Sequence, residues 1–100
     1  MITEFFNFPI YKKGDYILLK KIAIEEYYKR YNLYKFAKIS EISGYSETSY
    51  VLEAIFNDPP KIMRKIVGEF NIPRDHIERK LNKREIEEFE VQKTAIMYNL

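Results

Sequence analysis

Only three glycines and four prolines interrupt this 100-residue chain, and where they fall limits how it can be divided. Gly14-Asp15 predicts the start of a first helix, with Asp15 accepting hydrogen bonds from the first free amides. Leu19, Ala23, Tyr27 and Tyr31 then recur every four residues, beside Leu18 and Ile22, so one face is expected to be buried as far as Asn32. A second helix, Leu33 to Ser43, turns Phe36, Ile39 and Ile42 inward and stops at Gly44. Ser46 caps a third helix that runs to about Phe56 on Val51, Ala54 and Ile55. Asp58-Pro59-Pro60 predicts a fourth start, a capping acid followed by proline at the first helical position. Its stripe is Ile62, Ile66 and Phe70, with Met63 and Val67, and Asn71-Ile72-Pro73 ends it.

A short fifth helix uses Ile77 and Leu81. Asn82-Lys83-Arg84-Glu85 has the form of a capping box, in which two residues three apart satisfy each other's backbone amides. A last helix on Ile86, Phe89, Ile96 and Met97 follows, with an extended Val91–Tyr98 as the alternative. Residues 1–14 hold Phe5, Phe6, Phe8 and Tyr11 around Pro9 without a period, and read as an irregular aromatic arm. The expected fold is therefore all-α, a single domain over 1–100 with five or six helices. Residues 82–100 are available for dimerisation.

Composition narrows the class. Hydrophobic residues at 46% and charged ones at 32% suit a folded domain with one modest core. The lack of cysteine excludes disulfides and thiolate metal sites and points to a reducing, cytoplasmic compartment. No apolar run approaches the ~20 residues of a membrane helix, and Met1–Lys13 lacks a signal-peptide layout.

The segment Phe36–Ile55 has the spacing of a helix-turn-helix at about 33–57. Ser40 is the small residue at the crossing, Gly44 the turn, and Val51, Ala54 and Ile55 return the second helix to the core. Gly44-Tyr45-Ser46 resembles the turns of arabinose-regulator (AraC) and lactose-repressor (LacI) types. The helices around it, with Asn71-Ile72-Pro73, resemble the five-helix domain of phage-repressor (Cro-like) regulators over about Asp15–Leu81. The resemblance implies a sequence-specific regulator, a repressor for example, of bacterial, archaeal or viral type. It would bind double-stranded DNA as a homodimer, because one such domain reads a half-site.

Carried over position by position, Ser46, Glu47, Thr48, Ser49, Leu52 and Glu53 would face the major groove, with Lys35, Lys38, Lys61 and Arg64 on phosphates. The charge map opens an alternative. Four acids (Glu41, Glu47, Glu53, Asp58) and no cation lie between Ile39 and Pro60, while Lys29, Arg30, Lys35 and Lys38 precede the motif. An acidic helix face of that kind suits a protein-binding module with a basic partner. A third use, stacking of Tyr27, Tyr28, Tyr31 and Tyr34 on single-stranded bases, competes with their packing as half-buried core. His76 reads as a surface residue without a second metal ligand, and no nucleophile–base pair or glycine-rich phosphate loop is present. An enzyme, a metal and a cofactor are therefore not expected.

Overall fold

The computed structural model describes residues 11–43, 49–56 and 67–98. Five of its elements are strands: β1 (Tyr16–Leu19), β2 (Leu33–Ser43), β3 (Ser49–Phe56), β4 (Val67–Pro73) and β5 (Ile77–Lys80). They form one antiparallel sheet in the order β4-β3-β2-β1-β5. One long helix, α1 (Lys83–Tyr98), follows. The expectation of an all-α domain is thereby corrected: the two helices that a helix-turn-helix requires are the paired strands β2 and β3. Their register runs from Leu33 opposite Phe56 to Ser43 opposite Ser49. The expected fourth helix ends in β4, and the short fifth is β5. Residues 57–66, which hold the Asp58-Pro59-Pro60 start signal, lie outside the described residues, as do 1–10 of the aromatic arm.

The physical reason lies in what covers the sheet. Both faces are buried, so a middle strand can be apolar almost throughout and shows no clean alternation. Tyr50-Val51-Leu52-Glu53-Ala54-Ile55-Phe56 is such a run. Its Leu52 and Ala54 enter one core and Ile55 the other. The spacing Phe36–Ile39 reads as one helical face, yet in β2 the two residues point to opposite sides, Phe36 to one cluster and Ile39 to the other. Ile42, expected in the core, is exposed. Half of β3 is aromatic or β-branched (Tyr50, Val51, Ile55, Phe56), and side-chain packing on a pleated, half-buried surface rewards such residues there.

The first core joins Ile17, Leu19, Ala37, Ile39, Leu52, Ala54 and Ile72, with Tyr11 laid against them. Tyr11 meets Tyr50 edge-on, with ring centroids 5.8 Å apart. The chain between β1 and β2 covers this face. It forms a π-helical turn at Ala23–Tyr27 and a 3-10 turn at Lys29–Tyr31, closed by Asn32 in the left-handed region (φ 46°). Ala23 is fully buried, and Ile24, Tyr28 and Tyr31 pack on the same core. The expected first helix is thus a strand followed by two short turns. Asp15 does cap, but it caps a turn: its carboxylate accepts from the amide of Lys12 at 2.8 Å while Gly14 takes φ +93°.

Helix α1 covers the second face. The Asn82–Glu85 capping box forms in full: each side chain accepts the other residue's amide at 2.9 Å. Arg79 of β5 adds a bidentate pair to Glu85 at 2.7 and 2.8 Å. Phe89 is the helix's fully buried residue, set among Phe36, Ile55 and Leu81 with Ile86 and Ile96 at the margin. The helix therefore packs back on its own sheet, while Val91, Met97 and Tyr98 are exposed. Among the described residues, no helix is long and apolar enough to cross a membrane.

Candidate functional site

The described residues among those expected to meet DNA do not form one exposed surface. Leu52 is fully buried in β3. Glu53 lies beneath α1, where its carboxylate accepts a 2.8 Å hydrogen bond from the Lys93 ammonium. Lys38 stands opposite Glu53 on β2, with its ammonium 5.2 Å from the centre of the Tyr16 ring. Lys35 is exposed on the same strand, 5.0 Å from the Phe36 ring centre. Ser49 opens β3. Ser46, Glu47, Thr48, Lys61 and Arg64 lie outside the described residues.

Lys38, Glu53, Glu90, Lys93 and Tyr16 instead make a polar layer between sheet and helix. The Tyr16 hydroxyl donates to Glu90 at 2.7 Å; that bond first, with burial behind it, pushes the phenol up to about 12. The same bond, against the opposing effect of burial, holds Glu90 below the usual carboxylate range, and Lys93 assists. Burial works against the charge on Lys93, yet Glu53 and Glu90 outweigh it and raise its pKa. Every group here is occupied by another, so the layer docks the helix and offers little to a ligand.

A different surface combines exposure, charge and order. The connection after β1 turns Tyr28 inward and its neighbour Tyr27 outward, and both rings meet His76, which closes the 3-10 turn Arg74–His76. Tyr27 stacks on the imidazole (centroids 4.7 Å apart, planes 28° apart) and is 66% exposed. Tyr28 meets the imidazole edge-on at 5.4 Å, and its hydroxyl lies 2.7 Å from Nδ1. The backbone supports the contact: the Lys20 amide donates to the His76 carbonyl at 2.9 Å. Burial lowers the His76 pKa, with Asp75 opposing and Lys20 adding to the fall, which favours the neutral ring. Burial likewise raises the Tyr28 phenol.

Beside Tyr27 the chain forms an open basin of about 730 Å³, lined by Glu26, Tyr27, Lys29, Arg30 and Tyr31. Lys29 and Arg30 are exposed and make no ion pair among the described residues, whereas Lys21 is engaged with Glu25 at 3.8 Å. The basin thus offers a braced aromatic face, two available cations and one acid. Sequence reasoning assigned the four tyrosines together to half-buried core. That holds for Tyr28, Tyr31 and Tyr34, while Tyr27 is the exception. A contact across 49 positions to a lone histidine leaves no signal in either local stretch. Among the described residues, no cluster of His, Cys, Asp or Glu could hold a metal ion.

Comparison of the chain with protein-family models, characterised proteins and solved structures finds no match.

Proposed function

We propose that this chain is a nucleic-acid-binding module, without catalytic chemistry or cofactor, and that its contact surface is the Tyr27–Tyr31 basin with His76 behind it. The observation that carries the reading is an exposed aromatic ring stacked on His76 beside two cations that make no ion pair among the described residues. Exposed cations supply the salt-dependent, sequence-independent part of nucleic-acid affinity, and ordered aromatic rings supply contacts to bases. Lys20 adds a third positive charge at the start of the same connection. The reading takes the cytoplasm as its compartment, in keeping with a chain free of cysteine.

The test is a fluorescence-anisotropy titration of labelled random-sequence DNA, single-stranded and duplex, at 50 and 200 mM salt. Binding that weakens steeply with salt, and that the double change Lys29→Glu with Arg30→Glu abolishes, is expected. Absence of binding to either form at 50 mM salt would overturn the reading. The narrower role of a dimeric, sequence-specific regulator of duplex DNA rested on a reading helix, and the duplex arm of this titration scores it. A protein partner for an acidic face finds less support, since Glu53 is engaged by Lys93.

A further inference from the structure

We infer that the nucleic acid taken at this surface is a single strand, with one base stacked on the outward side of the Tyr27 ring and adjoining phosphates held by Lys29 and Arg30. The inference rests on the nucleic-acid reading above and names its substrate class. In a duplex the base faces are already covered by their neighbours, and an aromatic ring on a protein surface reaches them only by unstacking a base step, at a cost of about a few kcal/mol. A single strand presents those faces, and any base can use them because each has a π-surface. What Tyr27 offers is one face: its other side is taken by His76, at 4.7 Å between centroids.

The ring is also pre-positioned. The Tyr28 hydroxyl at Nδ1 orients the imidazole, and the Lys20 amide holds the His76 carbonyl at 2.9 Å, tying the turn before β5 to the connection after β1. A ligand therefore finds the platform ordered, which removes part of the entropic cost of forming a stack. The 3-10 turn sets Lys29 and Arg30 two and three residues beyond the ring, on the wall of the same basin. At about 730 Å³ the basin has room for a nucleotide-sized group. Glu26, the acid of the described lining, repels phosphate and suits an exocyclic amino group, the donor that cytosine, adenine and guanine carry.

The experiment uses the full chain and one labelled mixed-sequence 15-mer, free or annealed to its complement. The single strand should bind about tenfold more tightly than the duplex. Tyr27→Ala should weaken single-strand binding about tenfold and leave duplex binding within about twofold, while Tyr27→Phe should bind like the parent. His76→Ala should weaken single-strand binding several-fold by freeing the ring. Because Tyr27 is two-thirds exposed, its loss should leave the fold intact, and circular dichroism with a melting curve checks this. Single-strand affinity unchanged in Tyr27→Ala, or equal affinity for both forms, overturns the inference. If binding of both forms still depends on Lys29 and Arg30 when Tyr27→Ala is silent, the inference falls and the broader reading stands. If the parent binds neither form, both fall.

Discussion

Lys93 of α1 donates a 2.8 Å hydrogen bond to Glu53 of β3, an inner strand of the sheet, and this contact explains why a carboxylate is tolerated under the helix. Glu53 has Lys38 opposite it on β2 and Glu69 opposite it on β4. A like pair directly across a ladder is unfavourable, and Lys93 supplies the compensating charge from above. The helix's other polar contacts run across the sheet in spatial order: Glu85 to Arg79 of β5, Glu90 to Tyr16 of β1, Glu88 to Tyr34 of β2. Lys93→Ala should therefore destabilise the protein by about 1–3 kcal/mol, because it leaves a partly buried acceptor unsatisfied. Urea unfolding measures the loss, and hydrogen exchange should show α1 opening ahead of the sheet. Unchanged exchange in the helix would mean that Phe89 and its neighbours hold it alone.

Leu52 distinguishes a sheet from a reading helix. It is fully buried in β3, so Leu52→Ala should cost about 2–5 kcal/mol in urea unfolding. On the groove-facing side of a helix-turn-helix the same change would be nearly neutral.

The acid limb of stability should carry the signature of Glu85. The Arg79 guanidinium, with the Asn82 amide behind it, lowers this carboxylate to about 2. Its folded pKa lies below its unfolded one, so its contribution is complete above about pH 4.5 and is lost as pH falls towards 2. Melting curves between pH 5 and 2 should be flatter for Glu85→Gln than for the parent. Asn82→Ala, which removes the other half of the box, should cost about 1 kcal/mol at neutral pH.

His76 should act in a higher window. Burial depresses its pKa from 6.5, so the neutral ring stabilises the fold above that value, and stability declines as pH drops below it. His76→Phe keeps the stack under Tyr27 without a titrating group. It should remove the decline between pH 7 and 5, read as the melting temperature. An identical pH profile in the variant would show that other groups set the slope.

Local chemistry was the legible part. The Asn82–Glu85 box depends on residues three apart, and it appears where its side-chain types require it, with a helix behind it that buries Phe89. Burial was partly legible as well: Leu19, Ala23, Phe36, Ile39, Ala54, Ile55, Ile77 and Leu81 are core residues, as their apolar spacing implied. What they were buried against was not. Phe36 and Ile39 satisfy a helical step of three and also opposite faces of a strand that is covered on both sides. Only the pairing of Ala37 with Ala54 and Ile17 decides between them.

The sequence by itself determined the start of α1 and most of the residues that must leave water, because each follows from side chains within a few positions of one another. The tertiary structure decided that Leu33–Ser43 and Ser49–Phe56 are strands, that Leu52 and Glu53 belong to the interior, and that Tyr27 alone of its cluster faces outward on His76. Strand pairing and ring stacking join residues far apart in the chain, and a helix-period pattern carries no information about such partners.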